Sequence, residues 1–295
     1  MGNKMGIGSG KHFIIMTNRP KDSGLEMTEY IQTYLEERGA TVSVFADNET
    51  AEQILLREEA GRKASCMLVL GGDGTMLKAA RETAASGISI PLLGVNLGTM
   101  GYLTEVEPAA LNQALERLLD GRYIVEERMM LQARILRGDG SRQEAQVHAL
   151  NDVAITRRGP MQIIPFRVWV NGQVLNNYGA DGIVIATPTG STGYNLSAGG
   201  PIVEPGASLI LLTPVCPHTL NTRSIVLRPE DEVVIEIGQK QSGQTQEAEV
   251  NFDGSGLMVL RSRDRIRVTR SEKTTSVIKL SELSFLERLH RKMSE

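Results

Sequence analysis

A short apolar run that leads into a glycine turn and a helix is the feature that most constrains how this chain folds. The run Met67–Leu70 is uninterrupted, as expected of a central strand in a parallel sheet. Gly71-Gly72-Asp73-Gly74-Thr75 follows, and Thr75 is predicted to cap the next helix. Glycines let a ligand approach the backbone, and free N–H groups at a helix N-terminus attract anions. The stretch therefore suits a bound phosphate.

Asp73 is unexpected in a turn of this kind, because a carboxylate repels phosphate. Its presence is explained if it holds a metal ion or accepts a proton from a hydroxyl that attacks a phosphate. The alternative is that Gly-Gly-Asp-Gly is only a tight turn, and these four residues alone do not decide between the two. Lys78, early in the same helix, either reaches a phosphate or faces solvent.

Composition narrows the class of protein. The chain has 295 residues, enough for one large or two ordinary domains. With 32 basic and 35 acidic residues and no basic block, nucleic acid is not expected as a partner. No apolar run is long enough to span a bilayer and there is no signal-peptide pattern, so we expect a cytoplasmic protein without membrane contact. Cys66 and Cys216 do not have the spacing of a zinc site.

The pattern of apolar residues predicts two domains. Strands and helices alternate over residues 1–123, which indicates a doubly wound, Rossmann-like α/β domain with ligands outside the carboxyl ends of the strands. A helix is expected over Thr50–Glu59. Short alternating segments over residues 124–277 predict a β-rich, β-sandwich-like domain. Ser284–Met293 predicts an amphipathic helix with Phe285, Leu286 and Leu289 on its apolar side.

Four further stretches have the composition of ligand loops. Asn96–Glu105, which contains Gly98 and Gly101, follows an apolar strand and is either a ligand loop or an ordinary connection. Asn151-Asp152 pairs an amide with a carboxylate that can hold the hydroxyls of a ribose, although the dipeptide is also common in turns. Asn251–Gly256 is either a ligand contact or a plain hairpin turn.

The fourth stretch, Asp181–Pro201, is dense in hydroxyls and glycines. Such groups bind phosphates or base edges, and Tyr194 offers a ring for stacking on a base. Low complexity is the alternative. The spacing Gly190-Ser191-Thr192-Gly193 is not that of a nucleophile elbow, and no Walker-type phosphate loop occurs in the chain.

Taken in order, these motifs resemble those of the bacterial NAD kinases. The turn Gly71–Thr75 is similar to the family's GGDGT, Asn96–Glu105 to its second glycine loop, Asn151-Asp152 to its Asn-acidic pair, and Thr187–Tyr194 to its TPTGST-x-Y segment. The likeness extends from about Phe13 to the last helix. Two departures are Gly193, where the family has alanine, and Ser255, where the family often has glutamine.

The resemblance implies transfer of the γ-phosphate of ATP, or of polyphosphate in some members, to the 2′-hydroxyl of the adenosine ribose of NAD. It implies a divalent metal, usually Mg²⁺, a homodimer or homotetramer, and a final segment 278–295 that returns to the first domain. Asp73 would be the general base. Nucleotide contacts are implied for Gly72, Asp73, Gly74, Thr75, Lys78, Asn96, Asn151, Asp152, Asp181, Thr189, Thr192, Gly193, Tyr194, Asn195, Leu196, Ser197 and Ser255.

Two other functions remain open from sequence. Diacylglycerol and sphingosine kinases share the glycine–aspartate turn, but Asn151-Asp152 and the TPTGST-x-Y segment favour a dinucleotide over a lipid. A non-catalytic dinucleotide sensor is the other alternative, if Asp73 serves only the helix terminus.

Overall fold

The structure, a computed structural model, describes residues 10–45, 64–98, 101–140, 146–159, 163–218, 222–239, 245–281 and 283–294. Two compact units divide the chain, one formed by residues 1–127 with 275–295 and the other by residues 128–274. The predicted helix Thr50–Glu59 lies outside the described residues. In the part of the chain that is described, no helix is both long and apolar enough to cross a membrane.

The first unit is an α/β structure, as predicted. Its described strands are β1 (His12–Thr17), β2 (Thr41–Val44), β3 (Cys66–Gly71), β4 (Leu92–Asn96), the start of β5 (Ile124–Leu136) and the end of β16 (Arg265–Lys279). Its described helices are α1 (Glu26–Glu36), α2 (Asp73–Ser86), α3 (Leu111–Leu119, after a 3-10 turn at Pro108–Ala110) and α5 (Phe285–Met293). The first four strands are parallel in the order β2-β1-β3-β4, and Val277 of β16 pairs with Leu92 beside them.

Apolar residues explain where these elements form. Every residue of β3 and β4 is buried, as expected for central parallel strands covered by helices. The apolar spacing predicts a first helix over roughly Ser23–Arg38. Helix α1 begins later, at Glu26, because Leu25 has a left-handed conformation and Asp22 accepts the backbone N–H groups of Met27 and Thr28 at 3.2 and 3.0 Å. It ends before Gly39, whose φ of 86° suits a helix C-terminus.

The second unit consists almost entirely of sheets, again as predicted. Its described strands are the rest of β5, β6 (Val147–Ala149), β7 (Asp152–Arg157), β8 (Ile164–Val170), β9 (Gln173–Ala180), β10 (Gly182–Ala186), β11 (Ile210–Val215), β12 (Ile225–Leu227), β13 (Val233–Ile237), β14 (Glu247–Phe252), β15 (Ser255–Arg261) and the start of β16. The described residues also include a 3-10 turn at Thr189–Thr192 and one short α-helix, α4 (Tyr194–Ser197). Strands β12-β11-β10-β7-β14-β15 form an antiparallel sheet. One hydrophobic core joins it to β5, β6, β8, β9, β13 and β16.

Three predictions at the level of single elements were incomplete. The alternating pattern predicts a last strand over Arg265–Val268, whereas β16 continues to Lys279, and it predicts no strand at β7 or β15. Residues Ser271–Ser276 are polar and do not have the alternating apolar pattern of a strand, so the continuation was not predicted. Packing and strand pairing determine strand formation more than the residue type does. In α5, Phe285 and Leu289 are half-buried but Leu286 is 71% exposed, so the predicted apolar side is covered only in part.

Candidate functional site

Three loops of the first unit meet at one edge of its parallel sheet. They follow β1, β3 and β4, whose carboxyl ends are neighbours because Thr17 pairs with Leu70 and Gly71 pairs with Asn96. Backbone bonds join the loops directly, from Asn18 N to Leu70 O at 2.9 Å and from Leu97 N to Gly71 O at 2.8 Å. This edge is where doubly wound sheets bind ligands.

Asp73 is the first residue of α2, and its carboxylate is held by the loop after β4. The backbone N–H of Tyr102 donates to Oδ2 at 2.8 Å, and that of Leu103 donates to Oδ1 at 3.0 Å. Gly101 makes this contact possible, because a Cβ there would lie 1.7 Å from Oδ1. Burial, and next the nearby charge of Asp73, raise the pKa of Tyr102. The carboxylate is therefore fixed in orientation while Asp73 remains partly exposed.

The helix cap differs from the prediction. Gly72 is the N-cap residue of α2, and Thr75 lies inside the first turn. The Oγ1 atom of Thr75 accepts a hydrogen bond from Asn18 Nδ2 at 3.1 Å, and a Cβ at Gly71 would come within 2.2 Å of it. Thr75 thus ties the glycine turn to the loop after β1, and Gly74 is exposed.

Lys21 is a residue of this edge that the sequence interpretation missed. Its Nζ lies 3.2 Å from the positions that a Cβ on Gly72 and a Cβ on Gly98 would occupy. The ammonium group therefore stands between the two glycine turns. Nothing in the local sequence distinguishes Lys21 from a surface lysine, since its position follows from the order of β1 and β3 in the sheet.

Two other predicted residues of the first unit have local partners. The amide of Asn96 closes its own turn, donating to Gly98 O at 2.7 Å and accepting from Gly98 N at 3.1 Å. Lys78 is exposed and lies 3.8 Å from Glu82 one turn further along α2. Asn96 shapes the glycine loop, and Lys78 faces solvent in this structure.

In the second unit, Asn151 and Asp152 form a turn that is held by Asp253. The Asp253 carboxylate accepts backbone N–H groups from Leu150 at 3.0 Å, Asn151 at 2.7 Å and Asp152 at 3.1 Å. Asp253 and Gly254 both have positive φ and connect β14 to β15, so this segment forms the hairpin turn that was one of its two predicted alternatives. The bracing role of Asp253 was not predicted, because nothing local relates it to residues a hundred positions earlier.

The Asp152 carboxyl group has an unusual acidity. Burial, and next the charge of Asp253, raise its pKa to about 7. Its Oδ2 lies 3.7 Å, and Asn151 Nδ2 lies 3.4 Å, from the position of a Cβ on Gly193. An ionisable group with a pKa this far from its ordinary value is typical of functional sites.

The hydroxyl-rich segment after β10 packs against this turn. Thr187 donates from Oγ1 to Leu150 O at 2.6 Å and from its backbone N–H to Asn151 O at 2.9 Å. Gly190 lies so close that a Cβ would fall 2.1 Å from Asn151 O. Among the described residues, Asn151 Oδ1 and Thr189 Oγ1 are buried without a hydrogen-bond partner. Unpaired buried acceptors and donors are uncommon and call for a ligand or water.

The remaining predicted residues of the second unit differ in exposure. Thr192 is half-buried, and Leu196, Ser197 and Ser255 are exposed. Asn195 is buried, donating to Ser191 O at 3.2 Å and Pro201 O at 3.0 Å and accepting from Thr213 at 2.7 Å. Its side chain therefore braces the segment.

The charge of Asp181 acts on the Tyr194 hydroxyl group. Tyr194 is 39% exposed. Its pKa is raised, mainly because the ring is partly buried and then because of the charges of Cys216, Asp152 and Asp181. Asp181 pairs with Arg157, with Nε and Oδ1 3.0 Å apart. A partly exposed ring beside carboxylates is available to a ligand.

Two family models match this chain. Residues 13–123 match the ATP-NAD kinase N-terminal domain, and residues 150–280 match the ATP-NAD kinase C-terminal domain. A curated NAD kinase of Lachnoclostridium phytofermentans is 42% identical over 287 residues, which is 97% of this chain and 99% of that protein. A curated NAD kinase of Agathobacter rectalis is 44% identical over 285 residues, or 96% and 98% of the two chains.

Solved structures are similar in fold. A yeast NADH kinase complexed with NADH superposes with a TM-score of 0.82 at 24% identity, covering 96% of this chain and 87% of that one. An NAD kinase from Archaeoglobus fulgidus in complex with ATP gives a TM-score of 0.74 at 24% identity, with 96% and 99% coverage. At this identity the two structures establish the fold.

Proposed function

We propose residue roles from one premise: the chain belongs to the ATP-NAD kinase family. Its activity is the phosphorylation of NAD by ATP, and the acceptor is the 2′-hydroxyl of the adenosine ribose, so that the product is NADP. The observation that carries the proposal is the Asp73 carboxylate. It is held by two backbone N–H groups beside a glycine turn, at 2.8 and 3.0 Å.

Asp73 acts as the general base. It accepts the proton of the 2′-hydroxyl as that oxygen attacks the γ-phosphate, which is the usual task of an aspartate in phosphoryl transfer. The bond from the γ-phosphorus to the oxygen that bridges it to the β-phosphate breaks, and ADP leaves. The N–H groups of Tyr102 and Leu103 each occupy one lone pair of a carboxylate oxygen, and the other lone pairs are free to accept the proton. Fixing the orientation in advance lowers the cost of reaching the reactive geometry.

The phosphate donor binds at the glycine turn. Gly74 exposes its backbone N–H group at the start of α2, where the helix dipole favours negative charge, and Gly72 lets a phosphate approach the backbone. The Lys21 ammonium, between the turns at Gly72 and Gly98, adds a positive charge there. Neutralising the phosphate oxygens is the main electrostatic task in this reaction.

A divalent metal, usually Mg²⁺, fits this arrangement. Within the described residues no group of three or more histidine, cysteine or carboxylate side chains is placed to bind a metal. Mg²⁺ bound to substrate phosphates needs only one or two protein carboxylates, and Asp73 is the one available at the glycine turn. When bound, the ion would neutralise charge on the phosphates.

The second unit binds the dinucleotide. Asn151 Oδ1 and Thr189 Oγ1 are buried and unpaired among the described residues, so a polar ligand would satisfy them. The Asp152 carboxylate holds hydroxyls, and Tyr194 lies against a ring of the nucleotide. Direct contacts are also proposed for Asp181, Thr192, Gly193, Leu196, Ser197 and Ser255. Asn195 and Asn96 support nucleotide binding by holding the backbone of their loops in place. The Lys78 side chain would need to turn away from Glu82 to reach a phosphate.

Three further properties complete the proposal. ATP is the donor, with polyphosphate as a second donor to be tested. The protein works in the cytoplasm. It assembles as a homodimer or homotetramer, which light scattering of the purified protein measures directly.

Turnover separates the kinase from a dinucleotide sensor. The purified protein would be incubated with NAD, Mg²⁺ and either ATP or polyphosphate, and NADP would be measured with an NADP-specific dehydrogenase, while calorimetry would measure NAD binding. We expect binding together with NADP formation. Binding of NAD without turnover with either donor would instead support the sensor.

A further inference from the structure

Arg288 is the one side chain that α5 buries among the described residues of that helix. It is 5% exposed, whereas Leu286 and Met293 are each 71% exposed. Burying a guanidinium group is unfavourable unless its donors are satisfied. The groups that accept hydrogen bonds from Arg288 therefore identify the part of the fold that this side chain supports.

Those hydrogen bonds all reach the loop that follows β4. Arg288 donates from Nη1 to the backbone oxygen of Thr104 at 3.0 Å and from Nη2 to Glu105 Oε2 at 2.8 Å. Glu105, with a side chain only 1% exposed, also accepts from Lys279 Nζ at 2.8 Å and from the backbone of Ser281 at 2.7 Å. Burial alone would raise the pKa of Glu105, but the charge of Lys279 and these bonds outweigh it and bring it to about 2.

The residues just before Thr104 are the ones that hold Asp73. The N–H groups of Tyr102 and Leu103 donate to its carboxylate, and Gly101 N lies 3.2 Å from Thr104 Oγ1. Lys292, one turn beyond Arg288, places its ammonium 5.2 Å from the centre of the Tyr102 ring. One helix therefore contacts both Tyr102 and Thr104, on the two sides of Leu103.

We propose that Arg288 is a positioning residue for the reaction: it fixes the loop 101–105 so that the amides of Tyr102 and Leu103 hold the Asp73 carboxylate in the orientation for proton transfer. The inference rests on the proposed role of Asp73 as the base. It gives the C-terminal helix a part in the chemical step, although none of its residues touches the reacting atoms.

Loss of this support should lower kcat rather than raise KM. In Arg288→Ala the loop keeps its sequence but loses two anchoring bonds, and a carboxylate displaced by about 1 Å costs up to ~10²-fold in rate. We expect a fall in kcat of about 10-fold or more, with KM for NAD and ATP changed by less than about 3-fold. Arg288→Lys keeps the positive charge but cannot donate from two nitrogen atoms at once, so its kcat should lie between those of wild type and Arg288→Ala.

A matched control exists on the same helix. Arg291 is exposed, and Arg291→Ala removes the same charge one turn further on. Its kcat should stay within about 2-fold of wild type, because exposed charges contribute little. Methylguanidinium added to Arg288→Ala should restore part of the lost kcat and leave Arg291→Ala unchanged. If Arg288→Ala yields no folded protein, Arg288→Lys takes its place in every comparison.

A double-mutant cycle decides whether Arg288 acts through Asp73. In the Asp73→Asn background, Arg288→Ala should lower the remaining rate by less than about 2-fold. An equal loss in both backgrounds would overturn the positioning role and leave the base assignment intact. If Asp73→Asn alone keeps the wild-type rate, the base assignment fails, and the inference about Arg288 fails with it.

Discussion

Adding one methyl group at Gly101 should disable the enzyme without unfolding it. A Cβ at this position would stand 1.7 Å from Asp73 Oδ1 and 2.2 Å from Asp73 Cγ, far inside any tolerated contact. The carboxylate must move by more than about 1 Å, and it then loses one or both of the N–H groups of Tyr102 and Leu103. Displacement on this scale costs roughly 10²-fold in rate, or about 2.7 kcal/mol in the activation barrier.

The assay is steady-state NADP formation by Gly101→Ala, together with thermal unfolding. Gly24→Ala is the matched control, since a Cβ at Gly24 meets nothing nearer than 3.5 Å. We expect kcat to fall by about 10²-fold in Gly101→Ala, an unfolding temperature within a few degrees of wild type, and no effect in the control. A Gly101→Ala enzyme that retains more than about a third of the wild-type kcat would refute this account of how Asp73 is held.

Three other changes test the remaining contacts. Because the folded-state pKa of Asp152 is raised to about 7, the stability that this group contributes is present at low pH and is lost as pH rises through that value. The side chain introduced in Asp152→Asn does not ionise. The unfolding temperature of this variant should therefore fall less than that of wild type as the pH is raised from about 5 to about 8. Gly190→Ala, with its Cβ 2.1 Å from Asn151 O, should weaken NAD binding in calorimetry by about 10-fold or more. Lys21→Ala should raise KM for ATP by about 10-fold in steady-state kinetics and leave KM for NAD unchanged.

The sequence predicted the local structure of the candidate site well where strand, turn and helix are consecutive. Met67–Leu70 specified a buried strand and Gly71–Thr75 a turn, because apolar continuity and glycine content are local properties. The helix cap was predicted at Thr75 rather than at Gly72, because a threonine hydroxyl often caps a helix. Here Thr75 lies in the first turn, and its Oγ1 accepts hydrogen bonds from Asn18 Nδ2 in another loop and from the backbone N–H of Gly72.

The supporting residues could not be predicted, because each acts over a long separation in sequence. Asp253 holds the turn at Asn151, and Arg288 holds the loop at Thr104. Lys21 reaches the glycine turn only because β1 and β3 are neighbours in the sheet. A single sequence shows which residue types occur, but it does not show which of them fold together.

The rate of NADP formation by Asp73→Asn tests the central claim most directly. The variant keeps the size of the side chain and one oxygen to accept an N–H group, but it cannot take a proton. With NAD, ATP and Mg²⁺ we predict a kcat at least ~10²-fold below wild type and NAD binding that is unchanged in calorimetry. A variant that makes NADP at the wild-type rate would contradict the claim that Asp73 is the base.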